Sequence, residues 1–196
     1  PNHILLVKNV HNKVVMVTGA GGSIGSELCR QIIMLGPKKL LLIEHSEFML
    51  YTIHKELQEA HPNNDTILIP LLASVHDEHR IHEVISTWRP DTIYHAAAYK
   101  HVPLMENNPS EAIFTNVRGT KNLVDLSVIY NVEKFVMIST DKAVNPSSIM
   151  GASKRIAEIY VQSLQFNSKY AITKFITTRF GNVLGSNGSV VPLFTK

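Results

Sequence analysis

The sequence predicts an α/β fold: a doubly wound parallel sheet flanked by helices. Three features carry that reading. Short apolar runs alternate in strict order with segments of helical periodicity, which implies right-handed βαβ crossovers. The runs are apolar throughout rather than alternating, as expected for strands with helices on both faces. A glycine-rich turn joins the first run to the first helical segment.

Residues 1–12 are a lead-in without clear periodicity. Val14 to Val17 is the first buried strand, and Thr18-Gly19 turns it. Ile24, Leu28, Ile32 and Leu35 then recur at helical spacing until Gly36-Pro37 stops the helix. Leu40 to Ile43 is the second strand, and a helix runs from Ser46 to about Ala60. Ile67 to Ile69 is the third strand, and Asp77 to Trp88 a helix closed by Arg89-Pro90. Thr92 to Tyr94 is the fourth strand. Pro109 suits a first helical turn and opens a long helix to about Tyr130. Phe135 to Ile138 is the fifth strand, Ile149 to Phe166 a helix, and Phe175 to Phe180 the sixth strand. Gly181 to Gly188 reads as a loop, and Val190 to Lys196 as the start of an element that does not finish. Residues 13–196 are therefore expected to form one domain, a fragment of a larger protein.

Composition narrows the classes. A chain of 196 residues, 44% hydrophobic and 18% charged, suits one globular domain and not a disordered segment. The single cysteine, Cys29, excludes an intramolecular disulfide and suits a reducing compartment. No apolar run approaches the roughly 18 residues needed to span a bilayer, and no signal-peptide pattern opens the chain. A cytoplasmic protein without membrane contact in this segment is expected. Lys+Arg 19 against Asp+Glu 16 leaves a formal charge of +3, but the cations are scattered. No basic face with interleaved aromatics marks a nucleic-acid site. His76, His79 and His82 recur every third residue. A helix turns about 100° per residue, so they drift around its face and do not converge on a metal.

The glycine turn carries the first chemistry. Gly19, Gly22 and Gly25 stand three apart, between a strand and a helix. Gly19 permits the tight turn, Gly22 lets backbone approach a pyrophosphate, and Gly25 allows close helix–strand contact. The anion then sits on the helix N-terminus, at the N–H groups of Ser23 and Ile24. An acidic residue follows at the end of the second strand: Glu44, 25 positions after Gly19. Its carboxylate can bond both ribose hydroxyls of NAD and would repel the 2′-phosphate of NADP. His45 beside it leaves NADP open, with NAD preferred.

Four ordered motifs, beside the glycine loop, add a resemblance. Thr18 to Gly25 looks like the glycine loop of the extended short-chain dehydrogenase/reductases. His95 to Pro109, Ser139 to Pro146, Met150 to Lys154 and Arg179 to Pro192 are more specific. Together they resemble the CapD/WbpM-like polysaccharide biosynthesis proteins, nucleotide-sugar 4,6-dehydratases acting on UDP-N-acetylglucosamine. That resemblance implies a Rossmann-type NAD-binding domain whose C-terminal substrate subdomain is truncated here. It implies a UDP-sugar substrate and a homo-oligomer at full length. Larger members carry N-terminal membrane helices, so the parent protein could be anchored at the cytoplasmic face of the inner membrane. By matching position, His45 and Ser46 flank the ribose acid, and Ser74 and Val75 stand at the adenine site. Relatives commonly carry Asp there. Ala96, Ala97 and Ala98 let the dinucleotide lie close. Lys100 and Asn182 are candidate substrate contacts, Lys100 a cofactor contact as well, and Asn116 a structural support.

The reaction implied needs three acts: hydride leaves C4, the C5 proton and C6 hydroxyl depart, and hydride returns to C6. One base and one acid are required. The usual short-chain dehydrogenase places Tyr four residues before Lys, and here that position is Met150, four before Lys154. A thioether cannot exchange a proton. Lys154 keeps its ribose-binding and electrostatic roles; the family subgroup also carries Met there, and the pair Asp141-Lys142 stands at the carboxyl end of the fifth strand. Lys142 is the expected C5 base, although its free pKa of about 10.4 must fall for that role. Desolvation and nearby cations would lower it, and Asp141 would raise it. Asp141 is the expected acid for the leaving hydroxyl, with a share in taking the C4 hydroxyl proton. Thr140 would orient that proton, and Ser139 would hold a substrate hydroxyl. The alternatives are a nucleotide-sugar 4-epimerase or dehydrogenase on the same fold, and a non-catalytic NAD-binding module. Inverting dehydratases, in the members compared, keep the Tyr, so Met150 counts against them.

Overall fold

The computed structural model describes residues 3–167 and 172–181. Its elements run α1 (His3–Val10), β1 (Val14–Thr18), α2 (Ser23–Ile33), β2 (Lys39–Glu44), α3 (Glu47–Ala60), β3 (Ile67–Leu72), α4 (Glu78–Trp88) and β4 (Thr92–His95). There follow α5 (Val102–Asn107), α6 (Pro109–Ala112), a π-helical stretch (Ile113–Arg118), α7 (Gly119–Ile129), β5 (Lys134–Thr140), a 3₁₀ turn (Asp141–Ala143), α8 (Ile149–Asn167) and β6 (Lys174–Phe180). The sheet is six-stranded, in the order β3-β2-β1-β4-β5-β6. Every pairing is parallel. The order reverses between β1 and β4, and the carboxyl ends of those strands open a crevice there.

Two apolar layers cover the sheet. On one face Val15, Val17, Leu40 and Leu42 pack with Val10 of α1, Cys29 and Ile32 of α2, and Ile53 and Leu57 of α3. On the other, Met16, Leu41, Ile93 and Phe135 pack with Ile81 and Ile85 of α4, Leu123 of α7, and Ala157 and Val161 of α8. Leu40 to Ile43 are fully buried, so truncating any of them to Ala would cost about 2–5 kcal/mol. Double-sided cover holds for the central strands but not for the edges. β3 and β6 are half exposed along their length. The edge position also explains why β3 runs on through Pro70 to Leu72, since a proline is tolerated where a strand is not central.

Three segments depart from the sequence reading. The lead-in forms α1, and its last residue, Val10, is buried in the core. Val102 to Asn107 forms a separate short helix. The long helix from Pro109 is interrupted by π turns at Ile113–Arg118. Helix starts follow capping chemistry: Ser46 accepts from Met49 N–H at 3.4 Å, and Asp77 from Arg80 N–H at 3.0 Å. Cys29 is core, and burial pushes its thiol up to about 12. Among the described residues, no helix is long and apolar enough to cross a membrane, and no group of three or more side chains could hold a metal. His79 and His82 lie exposed on α4, the latter 2.7 Å from the Tyr130 hydroxyl.

Candidate functional site

The carboxyl edge of the sheet gathers four segments: the turn after β1, the start of α3, the stretch after β4 and the turn after β5. The glycine turn is shaped by contact. Gly19 has φ +68°, and a Cβ there would lie 2.8 Å from Ala97 N and Cα. A Cβ on Gly25 would lie 1.9 Å from the Gly19 carbonyl oxygen. The first turn of α2 therefore sits directly on the loop, and the loop on Ala96-Ala97. Gly22 differs: its added Cβ would meet only the Gly19 oxygen, at 3.3 Å. It also begins α2 without any side-chain cap. A helix start leaves N–H groups unbonded within the helix, and Gly22 has no side chain with which to cap them. These residues fit the pyrophosphate of a dinucleotide. Gly21, which spacing alone did not single out, is also constrained, because its Cβ would lie 2.5 Å from Met49 Cβ.

Glu44 ends β2, only 3% exposed. Its carboxylate accepts from Gly21 N–H at 3.1 Å, His45 N–H at 2.9 Å and Ser46 N–H at 3.1 Å. The His45 ring nitrogen Nδ1 lies 2.8 Å from the same carboxylate. The acid thus braces the glycine turn to the start of α3 and closes the end of the crevice where a ribose would lie. Beyond β3, Ser74 Oγ lies 3.2 Å from His76 Nδ1. The Val75 side chain is buried in the core, and its carbonyl accepts from Asn122 Nδ2 at 3.2 Å. Sequence reading missed Asn122 in this support.

Behind the glycine turn runs a buried polar chain. The Thr120 hydroxyl donates to the Asn116 carbonyl at 2.7 Å, so it accepts from His95 Nε2–H at 2.9 Å. His95 Nδ1 is then the acceptor for the Thr18 hydroxyl, at 2.8 Å. Burial first, and the charge of Lys154 second, push the imidazole down to about 3. Asn116 Oδ1 accepts from Tyr99 N–H at 2.9 Å, and its amide donates to Tyr99 O at 3.1 Å and Ser153 Oγ at 2.9 Å. The π turns place Asn116 there, fully buried, which fits the structural support expected of it. Lys100, one residue on, is exposed.

The turn after β5 holds Asp141 and Lys142, the expected acid and base. Thr140 Oγ1 donates to Asp141 Oδ1 at 2.9 Å, and Lys142 Nζ donates to the same oxygen at 3.3 Å. The Thr140 hydroxyl, with the Lys142 ammonium behind it, holds Asp141 below the usual carboxylate range. Successive strand residues point to opposite faces, so Ser139 does not join Thr140. Its hydroxyl is enclosed beside Glu158, inaccessible to solvent, which leaves Thr140 as the hydroxyl at the open edge. Met150 is likewise turned away: it is 3% exposed and packs with Met105 and Ala112 against Tyr99 and Val102. Lys154 is buried, and its Nζ donates to the Ile138 carbonyl at 2.7 Å. Burial lowers its pKa to about 8, against the opposing pull of Glu158. Asn182 lies outside the described residues.

The profile of the polysaccharide biosynthesis protein family matches residues 15–196. The capsular polysaccharide biosynthesis protein CapD of Staphylococcus aureus is 54% identical over 97% of this chain, which spans 31% of that protein. A UDP-N-acetylglucosamine 4,6-dehydratase (inverting) of Campylobacter jejuni is 33% identical over 95% of this chain, which spans 54% of it. Among solved structures, Pen from Bacillus thuringiensis superposes with a TM-score of 0.84 at 32% identity, covering 94% of this chain and 54% of that one. The chain therefore spans between about a third and about half of the relatives it matches.

Proposed function

The chain belongs to the polysaccharide biosynthesis protein family, and on that premise we propose that it is the NAD-binding part of a nucleotide-sugar 4,6-dehydratase acting on UDP-N-acetylglucosamine. The observation that carries the proposal is the Thr140–Asp141–Lys142 cluster, at the carboxyl end of β5, with Met150 buried where a tyrosine base would stand. Oxidation at C4 alone needs no base for C5. An aspartate and a lysine side by side supply what elimination of water requires.

When bound, NAD would supply reversible hydride transfer with the sugar carbons. Gly19, Gly22, Ser23, Ile24 and Gly25 would hold the pyrophosphate, Glu44 the adenosine ribose and Lys154 the nicotinamide ribose. Glu44 favours NAD over NADP. Asp141, an ionised carboxylate, would take the C4 hydroxyl proton through Thr140. It would then give that proton to the departing C6 hydroxyl, releasing water. Lys142, once its ammonium has given a proton to solvent, would take the C5 proton and, after exchange with solvent, reprotonate that carbon. The retained C5 configuration is the finer part of this reading. The relatives support nucleotide-sugar chemistry, and the aspartate–lysine pair supports elimination.

The test uses the full-length protein with UDP-N-acetylglucosamine and no added reductant. A product lighter by one water supports the proposal. Recovery of an isomer of unchanged mass, or of substrate alone, overturns it.

A further inference from the structure

Glu158 lies one turn beyond Lys154 on α8, and its side chain has no solvent exposure. It is nevertheless charged. Arg179 of β6 donates to it twice, Nε at 2.9 Å and Nη2 at 2.7 Å, and Arg155 donates from the preceding turn at 3.1 Å. Burial pushes the carboxyl up, but Arg179, the Ser139 hydroxyl and Arg155 outweigh it and hold it at about 2. A bidentate arginine–carboxylate pair fixes both distance and orientation. Arg179 is paired in register with Ser139, and Phe180 with Thr140. The next residues on each strand then meet, since a Cβ added at Gly181 would lie 3.8 Å from Asp141 Oδ2. Neither arginine faces the crevice alone; each is committed to a carboxylate that the mechanism does not use.

We infer that Glu158 is a positioning residue, which through Arg179 holds the carboxyl end of β6 against β5 and so fixes Asp141 and Lys142 in their reacting geometry. This rests on the dehydratase reading above. β6 is an edge strand, half exposed, with no further strand to hold its outer side among the described residues. The ion pair, buried on its Glu158 side, gives it an anchor that parallel pairing alone does not.

The experiment compares the full-length wild type with Glu158→Gln and Arg179→Lys. Bound NAD is titrated in each, and dehydration is expressed per cofactor-loaded site, with KM for the UDP-sugar measured separately. Misplacing reacting groups by about an ångström costs on the order of 100-fold, so kcat per loaded site should fall roughly 10- to 100-fold with KM changed less than about twofold. Arg179→Lys keeps the charge but loses the fork, and its kcat should also fall. It also carries the test if Glu158→Gln does not fold. A merely structural role would leave fewer loaded sites, each turning over at the wild-type rate, and that result overturns the inference. If the wild type itself forms no dehydrated product, the dehydratase reading fails and the inference falls with it.

Discussion

The hydroxyl of Thr18, at the end of β1, hydrogen-bonds Nδ1 of His95, at the end of β4, across 2.8 Å of fully buried space. The pair joins the two strands between which the sheet order reverses, directly beneath the glycine turn and Ala96-Ala97. Burial keeps the ring neutral, and with Nε2–H given to Thr120, Nδ1 is left to accept.

Acid should therefore weaken the fold through His95. Its folded pKa, about 3, lies below the unfolded value of about 6.5. The neutral ring's contribution is complete above pH 6.5 and is lost as pH falls from there toward 3. Urea melts should show stability dropping by roughly 1 kcal/mol per pH unit in that window. His95→Gln should be less stable at pH 7.5 by about 1–3 kcal/mol, with a flatter dependence below 6.5. Identical slopes in the two proteins would contradict the assignment.

The glycines should separate by role. Gly25→Ala forces a Cβ to 1.9 Å from a carbonyl oxygen, and the loss should exceed about 3 kcal/mol in thermal melts. Gly22→Ala meets one oxygen at 3.3 Å, and its φ of −70° suits alanine. Its melting point should move by only a few degrees, a change of about 1 kcal/mol or less, while NAD affinity falls. Equal loss of stability in both would show that Gly22 is not the open face of the loop.

Glu44 should act on both the loop and cofactor choice. Glu44→Gln loses the charge that repels a 2′-phosphate and weakens the bonds from Gly21, His45 and Ser46. Calorimetric titration should show the NAD-to-NADP affinity ratio dropping about tenfold or more. An unchanged ratio would leave Glu44 as a brace only.

Restoring a tyrosine should not restore a tyrosine mechanism. Met150 fills an apolar cluster with Met105 and Ala112. Met150→Tyr should overpack it, costing about 1–3 kcal/mol in denaturant melts, and dehydration should not rise. A more active variant would show that the position reaches the crevice.

The sheet and the cofactor turn were legible because both write a local pattern: buried strands as apolar runs, the turn as spaced glycines before a helix. The polar framework was not. His95 reads as the end of a strand, and only folding encloses it between Thr18 and Thr120. Asn116 owes its place to π turns, which come from packing and have no periodic signature. The pairing of Glu158 with Arg179 spans 21 positions and depends on β6 lying beside β5. One signal was available: Glu158 stands four residues after Lys154, so the two share a helix face. Ser139 and Thr140 were both expected at the substrate, and the alternation of strand side chains separates them.

The most direct test of the central claim follows the C5 proton. Full-length wild type and Lys142→Ala would be incubated with UDP-N-acetylglucosamine in D₂O, and product read by NMR and mass spectrometry. The account predicts a dehydrated product carrying deuterium at C5 from the wild type, and neither product nor C5 deuterium from Lys142→Ala. Deuterated product formed by Lys142→Ala at the wild-type rate would contradict it.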